Sequence, residues 1–115
     1  MYGNESGVAA EEPIHVDGES ELEALIDGDG VVLVDYYADW CGPCKMLEPA
    51  IERLAAETPA TIAKVDVDEQ QGIAATAGIQ GVPTLELYVD GREVKRIVGV
   101  HGEDELRNLI ETYAA

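Results

Sequence analysis

Cys41 and Cys44, the only two cysteines of the 115-residue chain, are separated by Gly42 and Pro43 where an apolar run gives way to a helical pattern. Thiols spaced this way at a helix start lie one turn apart, which brings their Cα atoms within the ~4.4–6.8 Å that a disulfide can bridge. The pair can therefore close and reopen with little backbone movement. A bridge across so short a loop gains only ~2 kcal/mol in the chain-entropy model, so it suits cycling better than stapling. The two sulfurs also differ. Cys41, at the helix N-terminus, receives the unpaired N–H groups and positive dipole end that favour a thiolate, whereas Cys44 is expected to be more buried and less acidic. That difference gives an order of events, in which Cys41 attacks a substrate disulfide and Cys44 then attacks Cys41 to free the reduced product. Pro43 suits the first helical turn, where its missing donor would go unused.

The release step needs a proton taken from Cys44, and Asp35 is the candidate base. It interrupts Val31-Val32-Leu33-Val34-Asp35-Tyr36-Tyr37, an apolar and β-branched run of the kind that forms a strand buried on both faces. A lone carboxylate there is costly when charged, so its pKa should rise towards neutrality, where a general base is useful. The alternative is a hydrated carboxylate at a strand end. Lys64, inside the strand-like run Thr61 to Asp68, is the expected partner of Asp35, or else a solvent-facing lysine.

Other elements follow from spacing. Pro13 to Val16 reads as a short edge strand, with His15 facing solvent. Ser20-Glu21-Leu22-Glu23 resembles a capping box with Ser20 at the N-cap, opening a short helix that Gly28-Asp29-Gly30 ends. From Cys41 or Gly42 to about Glu57, Leu47, Ala50, Ile51 and Leu54 form a helical stripe, and Pro49 is expected to kink it. Gln70 to Ala77 is a short helix. Thr84 to Val89 and Glu93 to Val98 are strands joined by an Asp90-Gly91 turn. Glu103 to Tyr113 closes the chain as a helix with an acidic first turn. Strands linked by helices, followed by an antiparallel pair, predict an α/β protein with a mixed sheet covered on both faces.

The bulk composition sets the conditions. Apolar residues make up 46% of the chain, enough for one domain with its own core, and residues 1–12 read as a flexible acidic tail. Acidic residues outnumber basic ones by 24 to 7, a formal net charge of −17. Such a surface repels nucleic acid and anionic membranes, which need Lys or Arg to bind phosphate. No apolar run approaches a membrane span, and the first residues lack the basic start and apolar core of a secretory signal, so a reducing cytoplasm is expected. Self-repulsion of this size is screened at ~1 M salt, where the Debye length is about 3 Å, which points to a salt-rich cell. In dilute buffer the negative field of Asp39 and Glu48 should raise the pKa of Cys41. No metal site is expected. Two cysteines supply half of a four-ligand zinc set, and neither His15 nor His101 has ligand spacing.

The segment Trp40-Cys41-Gly42-Pro43-Cys44-Lys45 is similar to the thioredoxin active-site motif, and Val82-Pro83-Thr84 resembles that family's proline loop. Asp35, Pro49, Lys64, Gly91 and Gly99 also fall where the family keeps matching residues, and the likeness covers residues 13–115 as a thioredoxin domain. The acidic, Lys-poor composition resembles thioredoxins of extreme halophiles. The resemblance implies a thioredoxin fold with a five-stranded mixed sheet and four helices. It implies reduction of disulfides in client proteins, without a bound cofactor, by a monomer that a thioredoxin reductase re-reduces. It further implies that Pro83 is cis and faces the cysteines, that Val82 pairs with an extended substrate segment, and that Trp40, Val82, Gly99 and Val100 form the docking patch. A disulfide oxidase or isomerase on the same fold, or a non-enzymatic interaction module, are the alternatives. Three features depart from the pattern. Tyr36, Tyr37 and Tyr88 stand where the family commonly has Phe or Trp, so each needs a hydroxyl partner or water. Glu86 stands where an apolar residue is usual, and is expected to reach the sheet rim or pair with a base such as Lys95.

Overall fold

In the computed structural model, which describes residues 11–114, the elements run β1 (Ile14–His15), α1 (Glu19–Asp27), β2 (Val31–Tyr37), α2 (Gly42–Glu57), β3 (Thr61–Asp66), α3 (Gln71–Ala77), β4 (Thr84–Val89), β5 (Arg92–Val98) and α4 (Glu103–Ala114). The first ten residues of the expected tail lie outside the described residues. The five strands form one sheet in the order β1-β3-β2-β4-β5. Strands β1, β3 and β2 are parallel, while β4 runs antiparallel to β2 and to β5. This is the predicted mixed sheet with four helices.

Strand β2 lies in the middle and its pleat feeds two cores. Val31 and Leu33 point to one face, where they pack with Leu47, Ile51 and Leu54 of α2 and Leu106 and Ile110 of α4. Val32, Val34 and Tyr36 point to the other, against Leu22 of α1 and Ile73 of α3. Alternation therefore places Asp35 on the α2 side, with the chemistry, and Tyr36 on the α1 and α3 side. Helix α2 runs unbroken through Pro49.

Several boundaries shift by a residue or two from the sequence reading, and two of the shifts have a clear local cause. Helix α1 starts before Ser20, which is exposed and caps nothing. Gly18, at φ +112, occupies the N-cap, and Glu21 reaches back to accept the Asp17 N–H at 2.6 Å. A positive φ favours glycine, so the turn is set by the residue with the least steric cost and not by the best capping side chain. Strand β3 ends at Asp66 instead of continuing to Asp68. The Asp66 carboxylate accepts the N–H groups of Asp68 at 2.9 Å and Glu69 at 3.3 Å, which turns the chain out of the sheet. The Asp90-Gly91 turn has positive φ at both residues, the requirement of a two-residue hairpin.

The α2 stripe should carry much of the stability. Leu54→Ala, at a fully buried site, is expected to cost ~2–5 kcal/mol in denaturant titration. Met46→Ala, on the exposed face of the same helix, should cost under ~0.5 kcal/mol.

Candidate active site

The C-terminal end of β2 and the N-terminus of α2 meet at the cysteines. Cys41 is the N-cap of α2, and Cys41 and Cys44 form a disulfide with Cα atoms 5.2 Å apart. The Cys41 sulfur itself does the capping, because it accepts the Cys44 backbone N–H at 3.1 Å. An orphan helix donor thus already points at the sulfur that would carry negative charge after reduction. Ala38, Cys41 and Cys44 form a small apolar cluster with Tyr37, Val67 and Val82 packed against it. Burial runs opposite to the expectation. Cys41 is 3% exposed and Cys44 8%, because Cys41 is covered by Ala38 and the Val82 loop while Cys44 faces a cleft.

That cleft is a cavity of about 250 Å³ that brings Cys44 together with Asp35, Lys45, Glu48 and Lys64. Asp35 is 4% exposed, and its Oδ1 has no hydrogen-bond partner. Burial is the main cause that pushes its pKa up to about 6; Lys64 pulls against the shift and Glu48 adds to it. Asp35 and Lys64 are register partners on neighbouring strands. The Lys64 ammonium, however, bonds to Glu48 at 2.9 Å and lies 4.4 Å from the centre of the Tyr37 ring. Two attractions thus hold the ammonium, the Glu48 carboxylate on α2 and the face of Tyr37 at the end of β2. Glu48 had been read only as part of a general negative field. Its position four residues after Cys44 on α2 is the signal that could have placed it beside the site.

On the other side of the disulfide, the Val82–Pro83 bond is cis and the Val82 carbonyl oxygen lies 3.7 Å from the Cys41 sulfur. Gly42 and Pro43 are exposed at the tip of the turn. Gly99 closes the Pro83 loop from the opposite side, its N–H donating to the Pro83 carbonyl at 2.9 Å. Trp40 is 71% exposed and Val100 49%. The Trp40 ring is held by its indole N–H, which donates to Asp68 at 2.9 Å, a partner the sequence reading missed. Between Trp40 and the Val82 loop lies a shallow groove of about 150 Å³, to which Val67 and Ile79 contribute. The structure thus brings the expected residues to one end of the sheet.

Glu86 takes the second of its two expected courses, pairing with a base, but with a different base. It is buried rather than at the rim, and its partner is Arg96, not Lys95. The antiparallel register sets Arg96 directly opposite Glu86 and sets Lys95 opposite Leu87. Tyr36 and Tyr88 find their hydroxyl partner in the same carboxylate, at 3.1 and 3.0 Å.

A vicinal dithiol at a helix start, a buried carboxylate behind it and a cis-proline loop before it, on this fold, define a thiol–disulfide oxidoreductase. Known proteins agree. The thioredoxin family's sequence profile matches residues 13–112. Thioredoxin from Chlamydia pneumoniae is 50% identical over 86 residues, 74% of this chain and 84% of that protein. Thioredoxin-2 from Saccharomyces cerevisiae is 47% identical over 79 residues, 68% of this chain and 76% of that protein. A mutant thioredoxin from Halobacterium salinarum NRC-1 superimposes with a TM-score of 0.90 at 49% identity, covering 96% of this chain and 97% of that one. The chain belongs to the thioredoxin family, and protein-disulfide reduction through Cys41 and Cys44 is its activity. Among the described residues no helix is long and apolar enough to cross a membrane.

The raised Asp35 pKa has a consequence for stability. The folded value lies above the unfolded one, so the stability tied to this group is full below pH 3.8 and is lost as pH rises through about 6. Asp35→Asn should therefore stabilise the protein by about 3 kcal/mol near pH 8 and by little near pH 4, read as the difference between variant and wild-type denaturant midpoints at each pH.

Proposed function

We propose that Cys41 is the attacking nucleophile, Cys44 the resolving thiol and Asp35 the base that frees Cys44. The observation that carries this assignment is the unpartnered, buried Asp35 carboxylate sharing one cavity with Cys44. The disulfide described above is the oxidised end of the cycle. After two-electron reduction, the Cys41 thiolate attacks one sulfur of a client disulfide, a Cys41–client bond forms, and the client's other sulfur leaves as a thiolate. Asp35 then takes the Cys44 proton, and the Cys44 thiolate attacks the Cys41 sulfur. The Cys41–client bond breaks, the Cys41–Cys44 disulfide forms, and the second client sulfur leaves. The client gains two electrons and, with solvent, two protons. Lys64 supports this by opposing the rise in the Asp35 pKa. Gly42 and Pro43 keep the turn tip small and open to an approaching client.

Clients dock across Trp40, Val82, Pro83, Gly99 and Val100, a rim around the Cys41 sulfur in which Trp40 and Val100 are exposed, Val82 and Gly99 half-buried and Pro83 buried. The chain works as a monomer, with a thioredoxin reductase as electron donor. Residues 13–115 are the working domain and residues 1–12 a tail. We place it in a salt-rich cytoplasm, a reading supported by the net charge of −17 and by the likeness to a Halobacterium thioredoxin. Four of the seven basic residues, Arg53, Lys64, Arg96 and Arg107, already sit in ion pairs, so few cations remain to offset the acidic surface.

Insulin disulfide reduction tests the roles. Cys41→Ser should abolish turnover, and Cys44→Ser should accumulate a covalent mixed disulfide with the client. In Asp35→Asn the first attack should persist while release slows by ~10²–10⁴-fold near neutral pH, the contribution of a positioned general base. Retention of turnover in Cys41→Ser would refute the assignment. For the salt reading, the melting temperature should rise from dilute buffer into molar potassium chloride as surface repulsion is screened, and a fall would count against it.

A further inference from the structure

We propose that Glu86 and Arg96 form a charged strut that positions the client-docking loop, residues 78–83, and so governs how tightly protein clients bind without touching the reacting sulfurs. The inference rests on the reading that the groove beside Trp40 receives the client.

Glu86 belongs to β4, on the sheet face opposite the cysteine cavity, and is 1% exposed. A carboxylate buried so fully needs donors on both oxygens to offset its lost hydration. One oxygen accepts from the Tyr36 hydroxyl on β2 and from the Tyr88 hydroxyl on β4, and the other pairs with the Arg96 guanidinium on β5. Burial and the adjacent Glu86 hold both phenols above their usual range, so they remain donors. Glu86 is thereby fixed, and it fixes Arg96, whose long side chain would otherwise sample many rotamers.

Arg96 makes two further contacts, of which the longer is its Nε with the exposed Glu93 carboxylate at 3.7 Å. Its Nη2 donates to the carbonyl of Ala77 at 2.7 Å. Ala77 is the last residue of α3, where carbonyls lack intrahelical partners and a cation is favoured. The chain then turns at Gly78, in the left-handed region, and Ile79 to Val82 run on as one wall of the groove. The far end of the loop is tied by the Thr84 hydroxyl to the Gly81 carbonyl at 2.7 Å and by the Gly99 N–H to the Pro83 carbonyl at 2.9 Å. Among the described residues, Arg96 is the one charged side chain bonded to the α3 end of this loop. An apolar residue in place of Glu86 would leave the guanidinium, apart from its Ala77 bond, only the longer contact with the exposed Glu93, which is on the same strand and does not tie it to the sheet interior. The buried acid that looked misplaced in the sequence thus secures a surface at the end of the sheet, through Ala77 and Ile79, which pack on its own face.

The test uses Arg96→Gln, whose side chain is partly exposed and can be replaced without opening a core, and the paired variant Glu86→Leu with Arg96→Met. Reduction of insulin and of a small aromatic disulfide would be followed in parallel, with amide exchange at residues 78–82. In Arg96→Gln the KM for insulin should rise about fivefold with kcat within about twofold, while the rate with the small disulfide stays within about twofold. Exchange in the loop should quicken about tenfold and that of β2 should not change. Unchanged insulin KM, unchanged loop exchange, or an equal loss with both substrates overturns the proposal. The paired variant should repeat the same split, and Arg96→Gln decides alone if that variant does not fold. Failure of the wild type to reduce insulin would instead count against the client-docking reading, because loop exchange is read without any activity.

Discussion

The pleat of a single strand governs this molecule. Strand β2 is buried on both faces and neighbours β3 and β4, so each of its side chains must enter one of two cores. Consecutive residues separate, and the chemistry separates with them. Asp35 goes to the face of α2, where Cys44 and Glu48 share its cavity, and Tyr36 goes to the face of α3, where it meets Glu86. A slip of one residue in this register would put a tyrosine in the cavity beside Cys44 and an unpaired carboxylate against Leu22 and Ile73.

Each face then handles a buried acid differently. Asp35 keeps one oxygen without a partner, and the cost of burying its charge appears as a raised proton affinity. Glu86 has both oxygens engaged by three donor groups and serves as an anchor. The contrast is one of donor supply. Lys64 stands next to Asp35 in register, yet its ammonium bonds to Glu48 and lies over Tyr37. An under-satisfied carboxylate can exchange protons, whereas a saturated one holds its neighbours in place.

Much of this was legible in the sequence, and the parts that were not have a common cause. The cysteine spacing, the helix after it and the two-sided run around Asp35 are local patterns, and all of them survived in the fold. The helix that was expected to start at Ser20 starts at Glu19 because backbone geometry at Gly18 outweighed a capping side chain. The burial order of Cys41 and Cys44 depended on the Val82 loop, roughly forty residues away in sequence and invisible to helix periodicity. Glu86 was recognisable as out of place, but choosing Arg96 over Lys95 needed the hairpin register, including the irregularity between Leu87 and Tyr88. The Trp40 to Asp68 and Lys64 to Glu48 bonds are likewise products of tertiary proximity. Local chemistry identified the participants, and strand register decided their partners.

Trp40 is the chain's sole tryptophan, and it stands immediately before Cys41 with most of its ring in water. Light emitted by indole from this protein therefore has one origin, the rim of the reactive groove. Neither core contains an indole, so that emission reports the surroundings of this one ring, which cover by another molecule, or loss of its bond to Asp68, alters directly. The exposure that leaves this ring in water thus makes it an optical reporter on the groove beside Cys41.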